Sequence, residues 1–165
     1  MKWLLLFLIL EAGCQKEAKK IESPSPGFHK TVLTSSKGGE KVWKLMCDNV
    51  RMEEEMTHLS KIVLLLYKDK NICKITADSG ILDQKNGIIE LFSNVEATGA
   101  DKIKLQTEKL TWNEKERSLA TESEVIFQKE GLILSGRGFI AETDFSSMKI
   151  KNEVRVKFNT ELHSK

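Results

Sequence analysis

The sequence predicts an all-β fold, a twisted antiparallel β-jellyroll with a boat-like outline, built from repeated hairpin units. The first observation is a repeat, since three stretches of the 165-residue chain follow one template at a period of 29 to 30 residues. Units of this length cannot bury an apolar face alone, so they must stack. The opening residues are Ile75, Leu105 and Leu134, and the closing valines are Val95, Val125 and Val154.

Each unit consists of two extended halves around a polar turn. The turns cover residues 83–87, 113–117 and 142–147, and they are rich in Asn, Asp, Glu, Gly and Ser. Clusters of this kind close β-hairpins.

A switch in side-chain parity is the third observation. In the first half of the first unit the apolar alternation follows Ile75 and Ala77, and it then shifts by one residue to Gly80 and Leu82. The same shift recurs in the other two units. Side chains alternate between faces with period two, so a recurrent shift predicts a bulge or corner that bends one sheet into the next. Three glycines lie near these corners: Gly80, Gly136 and Gly138.

The N-terminus indicates export. Eight apolar residues, 3–10, follow Met1-Lys2 and precede Ala12-Gly13-Cys14. They are too few to span a bilayer and suit a signal peptide over residues 1–13. The segment resembles a bacterial lipobox, so Cys14 is the predicted lipid anchor. Glu11 occupies the position three residues before the cysteine, where a lipobox usually has leucine. Two alternatives therefore remain: a plain signal peptide with an incidental cysteine, or a start codon assigned too far downstream.

The segments that follow complete the predicted organisation. Residues 14–30 form a lipidated N-terminus and a Pro-containing linker, residues 31–160 one domain, and residues 161–165 a tail. Cys47 and Cys73 share parity with apolar neighbours and are expected in the core. A disulfide between them stays open as an alternative, because an exported domain permits one.

Composition excludes several function classes. The formal net charge is only +2 and the charges are interspersed, so nothing indicates nucleic-acid binding. The three histidines are scattered and have no partners at metal-ligand spacing, so we expect no metal and no cofactor. Gly136-Arg137-Gly138 lacks the third glycine of a dinucleotide loop. We therefore predict no catalytic residues and no enzyme.

Four segments, in order and spacing, resemble strand signatures of the LptC family. They are Trp43-Lys44-Leu45, residues 75–80, residues 105–112 and residues 134–139. The resemblance implies a β-jellyroll with an apolar interior that accepts lipopolysaccharide from the inner-membrane ABC transporter. It implies transfer to the periplasmic bridge protein LptA, and a location on the periplasmic side of the inner membrane of a Gram-negative-type bacterium. Relatives usually have a transmembrane anchor, which acyl chains on Cys14 would replace here.

The inward parity of the repeat supplies the candidate lipid-binding residues, which could equally be ordinary core. They are Leu45, Ile75, Leu82, Ile89, Leu91, Leu110, Trp112, Leu119, Phe127 and Phe139. A second candidate site is the last strand, whose free edge could receive the bridge protein. Its candidate docking residues are Asn152, Val154, Val156 and Phe158. An early strand over 42–52 would then face the transporter.

Two alternatives remain at this stage. The chain could be a soluble bridge protein similar to LptA, or a structural periplasmic lipoprotein without lipid cargo. The run of apolar residues from Ile62 to Tyr67 is typical of a strand covered on both faces, or of one whose outer face meets a partner.

Overall fold

A computed structural model describes residues 31–158, which form ten β-strands and no helix. The predicted signal peptide, the Cys14 anchor, the linker and the tail lie outside these residues. Within 31–158, the structure offers no helix of sufficient length and apolarity to cross a membrane. The strands are β1 (Thr31–Lys37), β2 (Glu40–Cys47), β3 (Asn49–Glu53), β4 (Met56–Lys68), β5 (Asn71–Asp83), β6 (Ile88–Thr98), β7 (Lys104–Asn113), β8 (Ser118–Lys129), β9 (Leu132–Glu142) and β10 (Met148–Phe158).

The strands form one antiparallel sheet in the order β1-β2-β4-β5-β6-β7-β8-β9-β10, with β3 beside β4. The three repeat units correspond to the hairpins β5–β6, β7–β8 and β9–β10. The all-β prediction and the hairpin positions are confirmed. Almost every strand pairs with its neighbour in sequence, which is the arrangement that short polar turns favour.

The prediction of a single strand over 42–52 is wrong. The strand is interrupted at Asp48, which lies between β2 and β3. The Asp48 N–H donates to the Ser60 carbonyl at 3.0 Å. Because β2 pairs with one end of β4 and β3 with the other end, the chain changes from one half of the sheet to the other at this break. β1, which lies outside the repeat, forms the edge beyond β2.

The predicted corners are present as register shifts of the strand pairs. A shift occurs in every ladder from β5 to β10. On β5, Ala77 and Gly80 are both buried, although side chains three residues apart in a regular strand face opposite ways. The bulges therefore bend one continuous sheet across itself, and its two halves face each other.

Glycine is required at the corners because neighbouring side chains or backbone atoms occupy the space that a Cβ atom would need. A Cβ on Gly80 would lie 2.7 Å from the Glu90 carbonyl oxygen, and one on Gly136 would lie 2.7 Å from the Asn152 carbonyl oxygen. Gly138 has a φ of +73°, and a Cβ there would lie 3.0 Å from Lys151 Cδ. The bend thus depends on missing side chains as well as on backbone conformation.

We expect Gly138→Leu to destabilise the domain more than Gly39→Leu does. Both glycines have positive φ, so both variants incur a backbone cost of about 1–3 kcal/mol. Only Gly138 has neighbours within 4 Å of a built Cβ, whereas Gly39 has none. The difference between the two variants in urea unfolding therefore isolates crowding at the corner. Equal unfolding midpoints would count against a tight bend.

Candidate functional site: an apolar interior

Two rows of paired, inward-facing residues line the interior, one on each half of the folded sheet. Within each row, the residues are Cα partners in adjacent strands, so each row crosses the sheet perpendicular to the strands. The first row is Leu33, Leu45, Leu64, Ile75, Ala97, Leu105, Phe127, Leu134 and Val156. The second row is Thr57, Leu82, Ile89, Trp112, Leu119, Ala141 and Met148.

Aromatic contacts show that the two halves face each other. The rings of Trp43 and Trp112 lie 6.4 Å apart in an edge-to-face arrangement, although four strand-to-strand steps separate β2 from β7 in the sheet. The Phe127 and Phe139 rings stack at 6.5 Å across the same space. Such pairs contribute roughly 0.5–1.5 kcal/mol each beyond area burial. The interior is therefore a sandwich of two half-sheets, apolar from the β1 end toward the β10 end.

All ten candidate lipid-binding residues point into this interior, as the parity of the repeat predicted. None has more than 2% of its surface exposed, and all ten belong to one apolar cluster. In this state the interior is filled by the protein's own side chains. Their packing is established, whereas lipid contact stays a prediction.

Sequence reasoning missed several residues of the same interior. Ile62, Leu64 and Leu66 on β4 are fully buried, while Val63 and Leu65 on the outer face are half-buried. The six-residue apolar run therefore belongs to an interior strand of the sheet, with its two faces buried unequally. Phe145 was also missed, because it lies in a turn that is otherwise polar. A single aromatic residue among polar turn residues was the available signal.

An opening exists at the β1 end. A cleft of about 280 Å³ lies between β1 and the β5–β6 turn, and Leu33, Trp43 and Leu82 contribute its apolar lining. Ser35 Oγ donates to Glu114 Oε1 at 2.9 Å beside it. The Nε1 of Trp43 is buried and, among the described residues, has no hydrogen-bond acceptor. Trp43, which lines the cleft, also contacts the buried ring of Trp112.

The opposite end is formed by β10, whose outer edge has no partner strand among the described residues. Val156 pairs with Leu134 and Phe158 with Leu132, so these apolar side chains continue the interior surface. The side chains of β10 are nevertheless exposed to solvent: Val154 and Val156 are each 52% exposed, and Phe158 is 76% exposed. The candidate docking residues thus lie on the last strand of the sheet in residues 31–158, and its apolar side chains are exposed. Docking itself stays a prediction.

Polar contacts close the side of the sandwich where the strand ends of the two halves meet. Lys68, at the end of β4, donates hydrogen bonds from Nζ to the carboxylates of Glu142 and Asp144. The distance from Nζ to Asp144 Oδ1 is 3.1 Å. The hydrogen bond to Glu142 is the main reason that the pKa of Lys68 is raised, and the same bond lowers the pKa of Glu142. Burial opposes ionisation of Asp144, but hydrogen bonds from Ser146 and Lys68 outweigh it and lower the pKa.

Within residues 31–158, Cys47 and Cys73 are separate buried thiols and form no disulfide with each other. Burial raises the pKa of Cys73 to about 12. Because the thiolate is the reactive form, roughly one molecule in ten thousand is ionised at this site at pH 8. We therefore expect iodoacetamide to label Cys73 only after unfolding in urea, as read by peptide mass spectrometry. Labelling of the native protein at a rate similar to that of free cysteine would contradict this burial.

The strand order and the apolar interior define the chain as a twisted antiparallel β-jellyroll. The chain belongs to the LptC family, described as lipopolysaccharide-assembly, LptC-related, whose model matches residues 1–159. The resemblance noted in the four strand signatures is confirmed. Family membership assigns the chain to lipopolysaccharide assembly, with a role in lipopolysaccharide transport.

A solved structure supports the same fold. The crystal structure of LptH, described as the LptA homologous periplasmic component of the conserved lipopolysaccharide transport device from Pseudomonas aeruginosa, matches with a TM-score of 0.56. The match covers 70% of this chain and 94% of that chain at 8% identity, so it shows the fold alone. No curated protein matches the chain in sequence.

Proposed function

We propose that this protein accepts lipopolysaccharide from the inner-membrane ABC transporter at its β1 end and passes it to the periplasmic bridge protein LptA at its β10 end. The acyl chains would occupy the space between the two half-sheets. The observation that carries the proposal is the continuity of that apolar interior from β1 to β10, the first and last strands in the sheet order of residues 31–158.

The two ends differ in ways that suit a direction of transfer. At the β1 end, a cleft gives access to Leu33 and Trp43 from outside. At the β10 end, exposed apolar side chains continue the interior surface and are suited to a second jellyroll that extends the sheet by strand addition. Lys151, Arg155 and Lys157 on β10 would discourage pairing with unrelated edges.

Attachment to the membrane belongs to the same proposal. Acyl chains on Cys14 would hold the domain on the periplasmic side of the inner membrane, with residues 15–30 as a tether. Mass spectrometry of the mature N-terminus tests this point, and we expect a diacylglycerol on Cys14. An unmodified Cys14 would favour the alternative of a soluble bridge protein.

The close packing of the interior favours a second candidate function, a structural lipoprotein without lipid cargo. Phe139 and Leu110 are completely buried, which is also typical of an ordinary solid core. The two functions differ in whether the half-sheets separate to admit a lipid.

Photo-crosslinking distinguishes these functions. Benzoylphenylalanine replaces Phe139 in the interior or, as a control, Ile126, which lies on the outer face of β8 and is 44% exposed. In vesicles containing the ABC transporter, ATP and radiolabelled lipopolysaccharide, we expect a lipid adduct from position 139 and little from position 126. Equal labelling at both positions, or adduct from position 126 alone, would favour surface contact and contradict the carrier function.

A further inference from the structure

The turn between β9 and β10 crosses the gap between the two half-sheets. It starts at the strand ends of one half and contacts the strand ends of the other through Lys68 and Gly99. In sheet order, β9 is five strands from β4 and three from β6, so these contacts exist only because the sheet is folded. The turn is therefore a strap across the open side of the sandwich.

The strap has an apolar anchor. Phe145 has a φ of +59°, which is rare for a residue with a large side chain, and the residue is only 6% exposed. It contacts the rings of Phe127 and Phe139 at centroid distances of 6.4 Å. A Cβ on Gly99 would lie 2.9 Å from the Phe145 ring, so a glycine at this position leaves room for the aromatic side chain.

The strap is also held by polar contacts on both halves. On its own side, Thr143 Oγ1 donates to the Arg117 carbonyl at 2.7 Å and lies 3.4 Å from Trp112 Nε1. Across the gap, Lys68 Nζ donates to Glu142 and Asp144. Arg117 also reaches across, because its guanidinium donates to the Tyr67 carbonyl at 2.9 Å.

We propose that the β9–β10 turn is a releasable latch, which keeps the apolar interior closed through Phe145 and Lys68 and must open for an acyl chain to enter. The inference rests on the proposed carrier function. The latch is held by side-chain contacts of the β9–β10 turn, whereas the sheet is held by backbone hydrogen bonds between strands. Opening of the latch therefore breaks no strand pairing. Release therefore separates the halves at this side while the corners remain intact.

Titration does not release the latch in ordinary conditions. The carboxylates of Glu142 and Asp144 have lowered pKa values and Lys68 has a raised one. The carboxylate contribution is lost only as pH falls below about 4, and the lysine contribution only as pH rises above about 10. Between these limits, opening requires a competing contact, such as the arriving phosphorylated glycolipid or a docked partner.

Reversible crosslinking tests the latch. The pair Lys68→Cys and Asp144→Cys is joined by a short bis-methanethiosulfonate reagent, which reducing agent cleaves. Lys61→Cys and Asp78→Cys form the matched control, because that ion pair is 3.0 Å long but joins β4 and β5, which are already hydrogen-bonded neighbours. All variants are full-length chains with Cys47→Ala and Cys73→Ala, and Cys14 is kept because the thioether sulfur of a lipidated cysteine does not react with the reagent. Lipid entry is read as the adduct from benzoylphenylalanine at position 139.

We expect the yield of lipid adduct to be at least tenfold lower in the linked latch pair than in the same variant before linking. Reduction should restore the yield, and linking the control pair should not lower it. An undiminished adduct in the linked latch pair would overturn the proposal. Absence of adduct from every form, unlinked controls included, would instead overturn the carrier function on which the latch depends.

A loosened latch provides a second measurement that misfolding cannot imitate. Lys68→Ala removes the link to Glu142 and Asp144 and should raise the initial rate of adduct formation several-fold. Lys61→Ala removes an exposed ion pair within one half-sheet and should leave the rate unchanged. A lower rate in Lys68→Ala at unchanged thermal stability would overturn the latch.

Discussion

Replacing Val156 and Phe158 together by aspartate is expected to abolish capture of the bridge protein while leaving attachment to the transporter intact. Both side chains are exposed on the free edge strand, so the replacement removes apolar contact surface and places two charges where a partner strand would dock. Loss of two central anchors at an interface typically costs about 4 kcal/mol or more, roughly a thousandfold in affinity. Pull-down of LptA by the purified variant measures the effect.

The control for this prediction is Ile126→Asp. Ile126 is similarly exposed but lies on β8, which is paired on both edges by β7 and β9, so its replacement should affect neither partner. Deletion of residues 152–158 should give the same loss of bridge capture as the double variant. Retained capture by both variants, or loss of transporter attachment together with bridge capture, would show that β10 is not the docking edge for the bridge.

Phe139→Ala is expected to be among the most destabilising single substitutions in the domain. Phe139 is completely buried and contacts both Phe127 and Phe145. Truncation of a buried phenylalanine costs about 3–5 kcal/mol, a large part of the 5–15 kcal/mol that stabilises a typical domain. We expect the thermal midpoint to fall by roughly 10–20 °C in a calorimetric scan.

The neighbouring residue provides a matched control. Ile140 follows Phe139 on β9 but is 43% exposed on the opposite face. Ile140→Ala should therefore cost less than about 1 kcal/mol. Similar losses in the two variants would mean that the half-sheets do not enclose a packed interior at this position.

Much of the fold could be predicted because the repeat carries its information locally. The spacing from Ile75 to Val95 fixes a hairpin, and the parity change between Ala77 and Gly80 fixes the position of a corner. Both signals arise from the period-two alternation of side chains, which depends on neighbours in sequence. The same alternation identified all ten interior candidates by their inward direction.

The remainder depends on contacts between distant residues. The early segment was predicted as one strand because Asp48 and Asn49 interrupt its apolar residues only briefly. Only the pairing with both ends of β4 separates β2 from β3. Phe145 was missed because its burial follows from folding of the sheet. The contacts of Lys68 across the gap have no counterpart in local sequence pattern.

Sequence parity also could not distinguish a solid core from a lipid path, since both require apolar side chains at the same inward positions. Leu110 and Trp112 would be suited equally to a solid core and to a lipid path. The structure adds a cleft at the β1 end, exposed apolar side chains on β10 and contacts of the β9–β10 turn across the gap, on which the proposed carrier function and the proposed latch rest.

Fluorescence of Trp112 tests the central claim, that lipid acyl chains occupy the interior, most directly. With Trp3→Phe and Trp43→Phe, Trp112 is the sole tryptophan, and its side chain is 1% exposed between the half-sheets. Bromine on an acyl chain quenches tryptophan only on close approach. We predict strong quenching by lipid A with brominated chains and none by the unbrominated lipid at equal occupancy. Stoichiometric binding of the brominated lipid without quenching would contradict the account.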